Sequence, residues 1–151
     1  HTGRNGAGRC GRADRQPDYR GGEGGAGIRV SNRSRGDNGV VSLERTVSGQ
    51  GTDATHNIAI DEVSGFLYRT GGGGNGLRIY SLANPGNPVC VGQYGTRYVH
   101  DAQIVTYTSG PYNGRQLAYC CSGFNGGSTD TGLTILDVTN KSNITLLSQL
   151  S

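Results

Sequence analysis

The chain has 151 residues, of which 28 are glycine and 32% are hydrophobic, and it contains neither Trp nor Met. A composition so poor in apolar residues and so rich in turn formers excludes a compact helical fold, and no apolar run reaches the roughly 18 residues that a membrane-spanning helix requires. The net charge of +3 is unevenly placed: residues 1–45 hold nine Arg against five acidic residues, while the remainder holds five basic and six acidic residues.

Residues 1–26, "HTGRNGAGRCGRADRQPDYRGGEGGA", have no apolar periodicity and read as an Arg/Gly-rich, disordered tract that cannot offset its ordering entropy. Residues 27–55 read as a weak partial repeat or linker: "GIRVS" alternates, and "GVVSLERTV" from Gly39 supplies a second weak strand. From His56 the strand signal strengthens. "HNIAIDEVSGFLYRT" holds two β-rich runs split by a hairpin turn at Glu62–Gly65. After the "GGGGNG" loop, "LRIYSL" is a strand, "ANPGNP" a turn and "VCVGQY" another strand, which makes four short antiparallel strands over residues 56–94.

The unit recurs over residues 99–151. "VHDAQIVTYT" and "YNGRQLAYCC" are its first two strands, and "LTILDV", "TNKSN" and "ITLLSQL" its third strand, turn and fourth strand. At an offset of 56 residues, Gly76, Leu77, Ile79, Asn84, Asn87 and Gln93 all meet identical partners. Four short strands per repeat of about 40–50 residues is the pattern of β-propeller blades. The expected fold is therefore all-β, with about two propeller-like blades of four antiparallel strands. Closed propellers use about 4–8 blades, so the chain reads as a fragment with an incomplete ring.

Most short motifs have ordinary readings. Gly71, Gly73 and Gly76 fit G-x-G-x-x-G, as do Gly22, Gly24 and Gly27, but the first set joins strand to strand instead of opening a helix, so it reads as a hairpin loop. The R-G-D tripeptide at residues 35–37 is a short match in Arg/Gly-rich text. The basic tract has Tyr19 as the sole aromatic residue of positions 1–55, too little for a base-stacking platform, and no nucleic-acid partner is expected. Asn32, Asn140 and Asn143 begin glycosylation sequons, relevant only to a protein secreted by a eukaryote. No C-x-x-C pair supports a zinc ribbon. Adjacent Cys120 and Cys121 on a strand point to opposite faces, and either close a strained vicinal disulfide or remain two thiols; a Cys90–Cys120 bridge is a further pairing that spacing alone does not establish.

The candidate site is the pair of blade-opening histidines. His56 is followed by Asn57, and His100 by Asp101. The first strand of a propeller blade lines the central channel, so these four residues can converge on a small ligand or a divalent metal. The competing reading has each His locking the interface between blades through a backbone hydrogen bond. No Ser-His-Asp order and no paired carboxylates stand out, so no catalytic residue is assigned and an enzyme is not expected.

"THNIAIDEVSGFLY", "GLRIYSLANPGNPVCVGQY", "VHDAQIVTYTSGPYNGR" and "GLTILDVTNKSNITLLSQLS" together resemble the choice-of-anchor B family, whose members carry LVIVD repeats. The resemblance covers about residues 56–151 and implies a β-propeller-like, exported protein held at the cell surface, with the signal and anchor outside this stretch. The expected function is binding of a protein or carbohydrate at the cell surface. A metal-dependent hydrolase with a channel lined by His56, His100 and Asp101 is the alternative.

Overall fold

The computed structural model describes residues 17–22, 27–33, 41–50, 54–72, 76–122 and 131–150. All regular structure among them is β, apart from one 3-10 turn at Gly110–Tyr112. The strands form three antiparallel sheets, each a meander in which chain neighbours pair. The first sheet holds β1 (Pro17–Gly22), β2 (Gly27–Arg33) and β3 (Val41–Val47). The second holds β4 (Asn57–Asp61), β5 (Phe66–Thr70), β6 (Leu77–Ser81) and β7 (Val89–Tyr94). The third holds β8 (Asp101–Thr106), β9 (Gln116–Ser122), β10 (Gly132–Asp137) and β11 (Thr145–Leu150). No sheet closes on itself among the described residues.

Residues 17–22 differ from the expectation of an unstructured tract. They form β1, paired along its length with β2. The strand has no apolar alternation because its anchors are of other kinds. The Tyr19 ring packs on the cluster around Ile28 and Leu67, and its hydroxyl donates to the Pro85 carbonyl at 2.9 Å. Gly21 lies so close to the second sheet that an added Cβ would stand 3.0 Å from the Thr55 carbonyl oxygen. The R-G-D tripeptide, Cys10, Gly24 and Gly73 lie outside the described residues.

The three sheets share one register. Ile28 pairs with Val47, Leu77 with Tyr94 and Leu133 with Leu150, and each ladder slips two residues later, after Val30, Ile79 and Ile135 respectively. Thus β2, β6 and β10 are equivalent strands, as are β3, β7 and β11. A glycine stands just ahead of Ile28, Leu77 and Leu133, and at the first two it has a steric cause. Gly27 and Gly76 have φ of +58° and +86°, and an added Cβ would come within 2.2 Å of the Val47 carbonyl oxygen and 1.8 Å of that of Tyr94. By the same register β1 matches β5 and β9. Among the described residues the first sheet has no strand equivalent to β4 and β8.

The second sheet lies between the other two, and alternation along its strands assigns each side chain to one neighbour. Leu67, Tyr80 and Leu82 join Ile28 of the first sheet in one core, while Tyr68, Leu77 and Ile79 join Ala118, Cys120 and Leu136 of the third in another. This double burial explains why β5 and β6 are buried almost throughout and why Arg69 can be only 1% exposed. The Arg69 guanidinium donates to the Tyr80 hydroxyl at 3.2 Å and the Ala54 carbonyl at 3.0 Å. The turn after β10 docks back on the second sheet: the Lys141 carbonyl oxygen lies so near Gly92 that a Cβ there would stand 1.9 Å from it. The Lys141 ammonium sits 4.5 Å from the centre of the Phe66 ring.

Candidate functional site

The sheets meet where β4 lies against β8, and the residues just before these strands are His56 and His100. Each is held by its backbone in the same way. The His56 amide donates to the Thr70 carbonyl at 3.0 Å, and the His100 amide to the Cys121 carbonyl at 2.8 Å. Thr70 spans the seam, its hydroxyl donating to the His100 carbonyl at 2.8 Å. The Gly71 amide donates to the Val99 carbonyl at 2.7 Å, and one sheet earlier the equivalent pair bonds in the opposite sense, the Thr55 amide donating to the Gly22 carbonyl at 3.1 Å.

This framework brings all four residues singled out from the sequence to one place. The His56 and His100 rings lie 4.1 Å apart between centres, tilted by 49°. His100 Nδ1 stands 2.8 Å from Asp101 Oδ2, and Asn57 Nδ2 donates to the other carboxylate oxygen, Oδ1. His56, His100 and Asp101 each offer a ligand atom, and these atoms all lie within 4.8 Å of one another. Tyr98 stands edge-on to His100, with ring centres 6.3 Å apart. The two amide bonds lie within each histidine's own sheet, and the bond across the seam is the one the His100 carbonyl accepts from Thr70; both rings remain on the surface, where His56 is exposed and His100 half-buried.

The electrostatics favour an ionised carboxylate. Partial burial raises the Asp101 pKa, but hydrogen bonds from Asn57 and His100 and the nearby imidazoles outweigh burial and hold it below the ordinary carboxylate value. Burial, with the charge of Asp101, pushes the Tyr98 phenol up. The cluster thus combines one anionic oxygen ligand, two imidazoles and a neutral amide.

A second polar group was not legible in the sequence. Asp61, at the end of β4, accepts from the Ser64 hydroxyl at 2.7 Å, the Thr106 hydroxyl at 2.6 Å and the Gln116 side-chain amide. The Tyr68 hydroxyl donates to the Gln116 side-chain carbonyl. This network ties the second sheet to the third and is structural. Asp61 has no acidic equivalent in the next repeat, so repetition could not mark it.

The other candidates resolve simply. Cys120 is buried and Cys121 exposed on opposite faces of β9, and both thiols are free, as is that of Cys90; neither the vicinal nor the Cys90–Cys120 disulfide is formed. Burial, then the neighbouring Cys121, pushes the Cys120 thiol up to about 12, which makes it inert. Gly71 and Gly76 stand at the ends of β5 and β6 in a strand-to-strand connection, with no helix to receive a pyrophosphate. No helix of the described residues is long and apolar enough to cross a membrane. Set against protein-family models, curated proteins and solved structures, the chain matches none.

Proposed function

We propose that this chain is a stretch of an exported, cell-surface protein of β-propeller-like architecture that acts as a binding module, taking its ligand at the His-led strands β4 and β8. The observation that carries the reading is the meeting of His56 and His100. They are equivalent positions of two repeats, 44 residues apart, yet their rings are 4.1 Å apart with Asp101 and Asn57 beside them. Equivalent sheet registers, and a backbone hydrogen bond between equivalent residue pairs at successive seams, support blades arranged about a common axis. The resemblance of residues 56–151 to the choice-of-anchor B family supports export and surface attachment. Its partner is a protein or carbohydrate at the cell surface.

The test presents the chain to an array of glycans and surface-protein peptides beside a His56→Ala/His100→Ala variant of equal thermal stability. Retention of a defined probe by the native chain, lost in the variant, is the expected result. No retention on any probe, or retention that ignores the substitutions, overturns the reading.

A further inference from the structure

Building on that ligand site, we infer that what β4 and β8 hold directly is a divalent transition-metal ion, bound by His56, His100 and Asp101 and completed by an oxygen donor of the outer ligand. Imidazole nitrogen and carboxylate oxygen bind such ions at about 2.0–2.2 Å, which places the ligand atoms of a tetrahedral site roughly 3.4 Å apart. The three side chains already hold their ligand atoms within 4.8 Å of one another, and His100 Nδ1 and Asp101 Oδ2 are hydrogen-bonded at 2.8 Å, where the ion takes the place of the shared proton, which leaves to solvent. Small side-chain rotations at a surface cluster close the remainder. The backbone behind the cluster need not move, because the amides of His56 and His100 each donate a hydrogen bond to the neighbouring strand and Thr70 clamps the His100 carbonyl.

The donor set selects the ion. Two imidazoles with one carboxylate suit Zn²⁺, Co²⁺ or Ni²⁺, whereas Ca²⁺ and Mg²⁺ prefer oxygen alone. Asn57 supplies the outer contact that orients such a ligand: its amide holds Oδ1 of Asp101 and leaves Oδ2 turned toward His100. A bound ion also accounts for two imidazoles brought to 4.1 Å, tilted by 49°, at the surface. Three protein ligands leave coordination positions open, and through these the metal meets a hydroxyl or carboxylate of a surface partner.

The experiment titrates Co²⁺ into the metal-stripped full chain, following visible absorption and heat. One ion per chain, with the strong absorption of a low-symmetry site, displaced by Zn²⁺ and not by Ca²⁺ or Mg²⁺, is expected. His56→Ala and His100→Ala should each weaken binding at least about a hundredfold, and Asn57→Ala about tenfold, as for loss of an orienting contact. His100→Phe keeps an aromatic ring against His56 and should fail to bind while melting like the native chain. Absence of Co²⁺ uptake, or uptake indifferent to the paired histidine substitutions, overturns the inference. The array separates the two proposals. A probe retained in chelator, yet lost on His56→Ala/His100→Ala, refutes the metal and leaves the ligand site standing; retention indifferent to the substitutions refutes the ligand site itself.

Discussion

At Gly71 the backbone has a φ of +68°, and an added Cβ would stand 2.3 Å from the His56 Cβ. The two atoms cannot share that space, so Gly71→Ala must displace His56 as well as strain its own backbone. Gly65, at φ +72°, has nothing within 4 Å of such a Cβ and supplies the comparison. Gly65→Ala should cost only the left-handed strain, about 1–2 kcal/mol. Gly71→Ala should cost more in a thermal melt and also weaken Co²⁺ uptake, which Gly65→Ala leaves intact; equal effects on uptake would remove the steric account of His56. The histidines were legible in the sequence because both open a repeat. Gly71 was legible only as part of a glycine motif of another fold. Its contact with His56 depends on how β5 turns back along β4, which no local spacing specifies.

The strands of the second and third sheets were legible because alternation and turn residues mark them directly, as in "LRIYSL" and its echo "LTILDV". β1 was not, since Tyr19 and the close approach at Gly21 replace apolar alternation. The Asp61 network was hidden for a related reason: its members come from β4, the turn after it and β5 on one side and from β8 and β9 on the other, and they meet only when two sheets pack. It carries a pH prediction. Burial raises the Asp61 pKa, but bonds from Thr106, Ser64, the Val63 amide and Gln116 outweigh it and leave the pKa lowered. A carboxylate whose folded pKa lies below its unfolded value stabilises the fold above the unfolded value, about 3.9, and loses that contribution as pH falls through the folded one. Thermal stability should therefore drop as pH falls below about 4. Asp61→Asn should melt lower at neutral pH and show a shallower acid drop. An acid limb of unchanged slope in Asp61→Asn would place the pH sensitivity elsewhere, for instance at Asp137, which is also held low.

Across the whole molecule, equivalent positions have unequal surroundings. Ile79 in β6 and Ile135 in β10 occupy the same place in the repeated register. Ile79 is 0% exposed and lies in the core between the second and third sheets. Ile135 pairs with Tyr119, on the face of the third sheet opposite Ala118, Cys120 and Leu136, and is only half-buried. The same side chain thus seals an interface in one repeat and lines an outer face in the next. Exposed Leu146, Leu147 and Leu150 extend apolar surface along β11, an edge strand of that sheet. Unpaired edges and apolar faces of this kind drive association between copies. Light scattering should show the native chain growing in size with concentration. Ile79→Lys, which buries an unpaired charge, should lose about 4 kcal/mol or more and unfold the chain. Ile135→Lys should remain folded and scatter less than the native chain at equal concentration. If both substitutions unfold the chain alike, the repeats are not inequivalent in the way the sheet order requires. If Ile135→Lys folds but associates as before, the contact between copies runs through another surface, and the edge strand β11 is the next to be charged.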